Sequence, residues 1–156
     1  SFYFLLYQFV KYRYEHVEVR FVAHTTEAKE VTEQEFFHKG ESGGTYISSG
    51  YAKALEMIEQ RYNPDIWNIY AFHCSDGDNW EQDDEKAIEL AQELCQICTL
   101  FGYGEIAVNY GWNTIRSKYM RHIKQDNFIA VSIRTKDDVW PAFKKILEKD
   151  ASGGDA

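Results

Sequence analysis

Cysteine is scarce in this sequence: Cys74, Cys95 and Cys98 are its only three. An odd number without regular spacing is not a disulfide framework, and the expected home is a reducing cytoplasm. Cys95-x-x-Cys98 has the spacing of a redox pair. Within AIELAQELCQICTLFG, however, both thiols fall on one apolar helical face, so they read as buried small hydrophobes. Positive charge is also short, with 17 Lys and Arg against 25 Asp and Glu and a net charge of −8. That balance argues against a general nucleic-acid binder and against adhesion to an anionic membrane; it suits a soluble protein. No run of about 18 uncharged apolar residues exists, so no transmembrane helix is expected. The apolar start, SFYFLLYQFVKYRY, has no basic region before it and no small-residue cleavage site, and is not a signal peptide. It also has no initiator Met and no helix cap, and reads as the cut end of a longer protein. No internal repeat and no linker divides the chain.

What is present is a substantial core composition, 44% hydrophobic and 16% aromatic over 156 residues, enough for one folded domain. Phe2, Leu5, Leu6, Phe9 and Val10 recur at helical spacing, closed by Lys11 and Arg13. HVEVRFVAHT alternates and then runs apolar, which predicts a strand over 16–24. A short edge strand follows around 29–31, then a turn of helix begun by Thr32. GESGG is a loop, and Tyr51, Ala54, Leu55, Ile58 and Tyr62 predict a helix that stops before Pro64. WNIYAFHCS is nearly continuous apolar sequence over 67–75, the mark of a strand buried on both faces in a parallel sheet. Asp83 and Asp84 suit the start of the next helix, where carboxylates favour the positive end of the dipole; that helix is expected to run to about Phe101. Strands are predicted over 104–110 and 128–134, a helix over 114–124, and a last helix through VWPAFKKILEK with Pro141 in its first turn. One domain over 1–150 and a loose tail over 151–156 are expected.

Alternating helices and strands imply a three-layer α/β domain with a mainly parallel sheet, whose ligands bind beyond the carboxyl ends of the strands. Two features sit where such a site belongs. Thr45 follows two glycines directly before a helix, and Asp76 ends the most apolar strand. Taken singly, Thr45 reads as a helix N-cap and Asp76 as a turn residue. Together, a hydroxyl after Gly43-Gly44, one long helix, and a buried strand ending in Ser-Asp-Gly make a rarer combination.

On these residues the sequence resembles the von Willebrand factor A domain family, in which a metal-ion-dependent adhesion site takes a Gly-Gly-Thr threonine, a strand-end Asp-Gly aspartate and a DxSxS segment. Gly43-Gly44-Thr45 and Asp76-Gly77 match the first two. VEVRFVAHTTEAKEVTEQEFF, GESGGTYISSGYAKALE, RYNPDIWNIYAFHCSDGDNW and LFGYGE resemble more closely the bacterial YhbH/YeaH family, whose members carry such a domain at the C-terminal end. The resemblance implies a Rossmann-like von Willebrand factor A-type fold with helices on both faces. It implies Mg²⁺ or another divalent cation held by Thr45 and Asp76, and a cytoplasmic sporulation or stress-response protein whose protein partner is a PrkA-type serine protein kinase. The DxSxS segment and the first, central strand that carries it would lie before Phe2 and are missing from the chain.

The ligand chemistry favours recognition over catalysis. A hydroxyl and one or two aspartates leave a hard, six-coordinate cation partly unneutralised, so a partner's carboxylate can complete the shell. Thr45 and Asp76 oxygens would then lie on the order of 4 to 7 Å apart around a cation with metal–oxygen distances near 2.1 Å. Asp78, Asn79, Glu41 and Ser42 read as loop residues around that site. Tyr46, Trp80 and Trp112 read as packing residues or as part of a partner surface. The alternatives are a metal-dependent phosphatase or hydrolase using Asp76 or Asp78, a scaffold with a vestigial site, and a zinc site at His24, His73 and Cys74. A phosphatase would want a first-strand aspartate, a lysine and further acids at other strand ends, and that set is not found. Without the central strand, the strands at 16–24 and 67–74 would expose unpaired edges. They would either close up on each other or, the favoured expectation, be filled by a second copy of the chain, and the metal would be held weakly.

Overall fold

The computed structural model describes residues 2–38, 46–106 and 113–153. Its elements are α1 (Phe2–Arg13), β1 (Phe21–His24), β2 (Ala28–Val31), α2 (Glu33–His38), α3 (Ile47–Arg61), β3 (Tyr70–Ser75), α4 (Asp84–Ile97), β4 (Leu100–Ile106), α5 (Ile115–His122), β5 (Phe128–Ile133) and α6 (Val139–Gly153), with single 3₁₀ turns before α4 and α6. β3, β4 and β5 form a parallel sheet in that order, and β1 pairs with β2 as a separate antiparallel hairpin.

The parallel sheet is covered on both faces, as its apolar strands require. Alternation along β5 sends Phe128 and Ala130 into one core and Ile129, Val131 and Ile133 into the other. The first core is built by α3, α4 and α5 through Ile47, Tyr51, Leu94, Ile115 and Tyr119; the second by α1 and α6 through Phe2, Leu6, Phe143 and Ile146. Burying each large side chain contributes about 1.5–3 kcal/mol of transfer free energy. Cys95 and Cys98 are free, buried thiols in the first core, and burial pushes them up to about 11 and about 12 respectively.

Several expected boundaries move. Residues 16–20 alternate like a strand but carry no strand assignment; only Phe21–His24 pairs. The helix expected to reach Phe101 ends at Ile97, where Cys98 N–H makes the last helical bond to Leu94 O. β4 therefore starts at Leu100 rather than 104; residues 107–112, with the rest of the predicted strand and Trp112, lie outside the described residues. The tail expected to be loose from 151 is helical through Gly153. Thr32 opens α2 as read, its Oγ1 accepting Glu35 N–H at 3.2 Å while Glu35 Oε2 accepts Thr32 N–H at 3.0 Å. This reciprocal pair satisfies two otherwise free backbone donors.

The two sheets do not close up on each other. Among the described residues no ladder joins β1 to β3. A cleft of about 1000 Å³ lies between them, walled by α1 (Tyr3, Leu6, Phe9), α3 (Gly50, Tyr51, Ala54), α6 (Ile146, Leu147) and the two strands themselves.

Candidate functional site

The carboxyl end of β3 is a turn held by its own side chains. Asp76 is exposed, and its Oδ1 accepts Asp78 N–H at 3.0 Å, the turn geometry aspartate favours. Gly77 sits at φ +88°. Its N–H donates to Ser75 Oγ at 3.2 Å and its carbonyl accepts Ile115 N–H at 3.1 Å, which ties the turn to the start of α5. Ser75 Oγ in turn shares a 2.7 Å bond with Tyr103 OH. Beside this turn Glu105, only 5% exposed, accepts Arg116 N–H at 3.2 Å.

The same loop caps α3. Ile47 N–H donates to Asn79 Oδ1 at 3.0 Å, and Ser48 gives its N–H (3.0 Å) and its hydroxyl to the two oxygens of Asp83. Asn79 Nδ2 donates to Asp84 Oδ1 at 2.9 Å, and Lys118 pairs with the other Asp84 oxygen. Tyr46 N–H donates to Thr25 O at 2.9 Å at the β1–β2 turn, and its ring packs on Trp80 at 5.4 Å between centroids. The segment entering α3 is thus pinned to both sheets. The expectation that Asp83 serves its own helix was incomplete: its carboxylate accepts the N–H and the hydroxyl of Ser48 in the first turn of α3, 35 residues earlier. No local sequence signal pairs Ser48 with Asp83.

Thr45, Glu41 and Ser42 lie outside the described residues, so the Thr45–Asp76 separation is not tested. Asp76 offers an exposed carboxylate with one oxygen engaged in its own turn, a donor that fits an aqua-cation or a water-bridged one. Among the described residues no group of three or more His, Cys, Asp or Glu is arranged to hold a metal ion. Asp76 alone does not make a site. Asn79, read as a loop residue, is a structural hub.

The histidines do come together. His24 and His73 meet through their Nε2 atoms at 3.0 Å, and His73 Nδ1 lies 2.8 Å from Tyr51 OH, which accepts Tyr119 OH at 2.8 Å. Gly50 leaves room for this contact, since a Cβ there would lie 3.0 Å from His24 Cδ2. Cys74 cannot join as a third ligand: strand alternation puts it with the α1/α6 core while His73 packs on Tyr51 and Tyr103. In the tautomer in which Tyr51 donates to His73 Nδ1, His73 donates from Nε2 to His24 Nε2. His24 Nδ1 is buried with no hydrogen-bond partner.

Burial, with His24 next to it, lowers His73 to about 3, and burial lowers His24 against the opposing pull of Asp83. The unfolded chain takes up a proton at His73 below about pH 6.5, while the folded chain holds that imidazole neutral down to about pH 3. Stability is therefore complete above that pH and is lost as pH falls, by about 1.4 kcal/mol per pH unit for His73. Urea midpoints taken between pH 7 and pH 5 should show that slope, and His73→Gln should flatten it. An unchanged slope in the variant would remove His73 as its source.

Compared with known proteins, residues 1–150 match the family model described as "Protein of unknown function (DUF444)". A UPF0229 protein of Ruminiclostridium cellulolyticum is 62% identical over 151 residues, 96% of this chain and 38% of that protein. UPF0229 proteins of Clostridium perfringens and Bacillus cereus are 45% and 47% identical, again across 38% of their own length. The chain thus spans about two fifths of the curated relatives it matches. No solved structure matches it.

Proposed function

The chain belongs to the bacterial DUF444 family, and from that premise we propose that it is a non-catalytic, metal-ion-assisted protein-interaction module of von Willebrand factor A type. One observation carries the reading. An exposed aspartate, Asp76, ends the strand at the border of the cleft, in a loop that also caps the helix following Thr45. The three-strand parallel sheet with helices on both faces is compatible with that fold type. In this reading Thr45 and Asp76 supply two oxygen ligands, the rest of the whole protein supplies others, and the cation, incompletely neutralised, accepts a carboxylate from a partner protein. The resemblance to the YhbH/YeaH family makes a PrkA-type serine kinase the partner to try first, in a sporulation or stress-response setting.

The test is Mg²⁺ titration of the full-length protein by calorimetry, followed by kinase capture with and without EDTA. Thr45→Ala and Asp76→Ala should each weaken Mg²⁺ binding at least about tenfold, the loss of one charge-bearing or oxygen ligand, and EDTA should reduce capture. Equal Mg²⁺ affinity in wild type and both variants would overturn the metal reading. Turnover of generic phosphate esters that depends on Asp76 would overturn the non-catalytic one.

A further inference from the structure

Trp80, in the loop after β3, is a large aromatic that the fold does not bury: it is 49% exposed, although side chains of this size normally supply core area. One side of its indole lies on the Tyr46 ring, 5.4 Å between centroids at 35°; the other is open to solvent. The loop holds this pair still. On the N-terminal side of Trp80, Asn79 is bonded to Ile47 N–H and to Asp84. On the C-terminal side, Trp80 O accepts Asp83 N–H at 2.8 Å, and the Asp83 carboxylate is tied to Ser48. Tyr46 is held at three points. Its N–H donates to Thr25 O, its carbonyl accepts Ser49 N–H and Oγ–H, and its hydroxyl accepts Gln82 Nε2–H at 2.8 Å. The two rings form a fixed aromatic plate, and a group that stacks on it incurs little of the ordering cost of a mobile side chain.

The charge around the plate selects that group. From Tyr62 to Glu85 the chain has no Lys or Arg. Asp76, Asp78, Glu81 and Glu85 are exposed there, whereas Asp83 and Asp84 are buried and bonded to Ser48, Asn79 and Lys118. An apolar side chain would use the ring and leave the carboxylates unanswered. A lysine answers the charge as a point and stacks poorly. An arginine guanidinium is planar, weakly hydrated, stacks on indole and forks to a carboxylate at its edge. We propose that the Trp80–Tyr46 plate is a docking site for an arginine side chain of a partner protein, stacked on the open side of Trp80 and paired with the exposed carboxylates of the same loop. The proposal rests on the protein-interaction reading above and needs no metal. It adds a requirement on the partner: an arginine, beside the carboxylate that completes the cation's shell.

The test uses full-length protein and a peptide of three Gly-Arg repeats with blocked ends, against the same peptide with lysine or with neutral citrulline, all in EDTA. The arginine peptide should shift the Trp80 indole N–H resonance. Its affinity should fall about tenfold in Trp80→Ala, and the lysine peptide should bind wild type about tenfold more weakly, the size of a cation–π contact. The citrulline peptide should not bind. Equal affinity of the arginine peptide for wild type and Trp80→Ala would overturn the proposal, leaving only general attraction to an acidic surface. Equal affinity of the lysine and arginine peptides, or an unmoved indole resonance, would overturn it too. So would a Trp80 indole already shielded from a soluble paramagnet in the free full-length protein, which would make another part of the same polypeptide the occupant. Trp80→Ala should bind Mg²⁺ as wild type does; weakened Mg²⁺ binding would mean that the ring shapes the loop instead of receiving a partner. Kinase capture and Mg²⁺ titration of the wild type judge the reading above, and the peptides judge this one, so the two fail in separate experiments.

Discussion

Asp83→Ala should cost about 3 kcal/mol of folding stability. Asp83 and Ser48 are each 5% exposed, and the substitution leaves both the Ser48 N–H and its hydroxyl without the acceptor they have now. Each buried donor left unsatisfied costs about 1–3 kcal/mol. Part of that is offset because a buried carboxylate no longer has to be desolvated. Asp83→Asn keeps one good acceptor and should cost about half as much. The damage is local in origin. The first turn of α3 loses its cap, and the segment that enters it, also held by Asn79 at Ile47 and by Thr25 at Tyr46, loses one of three ties. Urea denaturation of wild type and both variants measures this. A loss under about 1 kcal/mol for the alanine variant would mean that water reaches Ser48 and that the cap is dispensable.

Long, strongly patterned segments were legible. The apolar run ending at Ser75 holds a parallel strand covered on both faces, over Tyr70–Ser75 rather than from 67, and the periodic stretch from Tyr51 to Tyr62 falls on α3, with Tyr62 at its C-cap. Both signals arise from one requirement, an apolar face at every buried position, and that requirement is written locally. Where two buried elements follow each other without a polar break, the boundary is hidden. LCQICTLFGYG is interrupted only by the single polar residues Gln96 and Thr99, because a helix face and a buried parallel strand give nearly the same composition. Only the helix's last bond at Cys98 and the ladder from Leu100 divide them.

The alternation at 16–20 misleads for a different reason. Alternation states which way side chains point, but a strand also needs an edge to pair with, and these residues line the open cleft. The site follows the same division. Asp76 at the strand end was readable from its own neighbours. The His24–His73 contact was readable only as proximity of strand ends, and the alternation that removes Cys74 from it decides against zinc. The Asp83–Ser48 cap and the approach of Glu105 to Gly77 join residues far apart in sequence, so no short window of sequence contains them.

Glu105 also decides how much freedom the Asp76 turn has. Gly77→Ala should destabilise the protein by about 3 kcal/mol, from two sources. At φ +88° an L residue costs about 1–2 kcal/mol relative to glycine. The new Cβ would lie 2.7 Å from Glu105 Oε2 and 3.1 Å from Thr114 Cβ, and overpacking of this kind costs about 1–3 kcal/mol. The carboxylate cannot swing aside cheaply, because it is buried and accepts Arg116 N–H. A double-mutant cycle separates the two sources. In a Glu105→Ala background the clash with the carboxylate is gone and only the backbone penalty remains, so Gly77→Ala should cost about 1–2 kcal/mol there, a coupling of about 1–2 kcal/mol. Zero coupling would place the whole effect in the backbone. Under the proposed metal reading, because Asp76 precedes this glycine and holds its own turn through Asp78, the single variant should also lose Mg²⁺ affinity in the full-length protein at temperatures where it remains folded, and the Glu105→Ala background should restore part of it. Intact Mg²⁺ affinity in the folded Gly77→Ala protein would show that the turn does not position the Asp76 carboxylate for the metal.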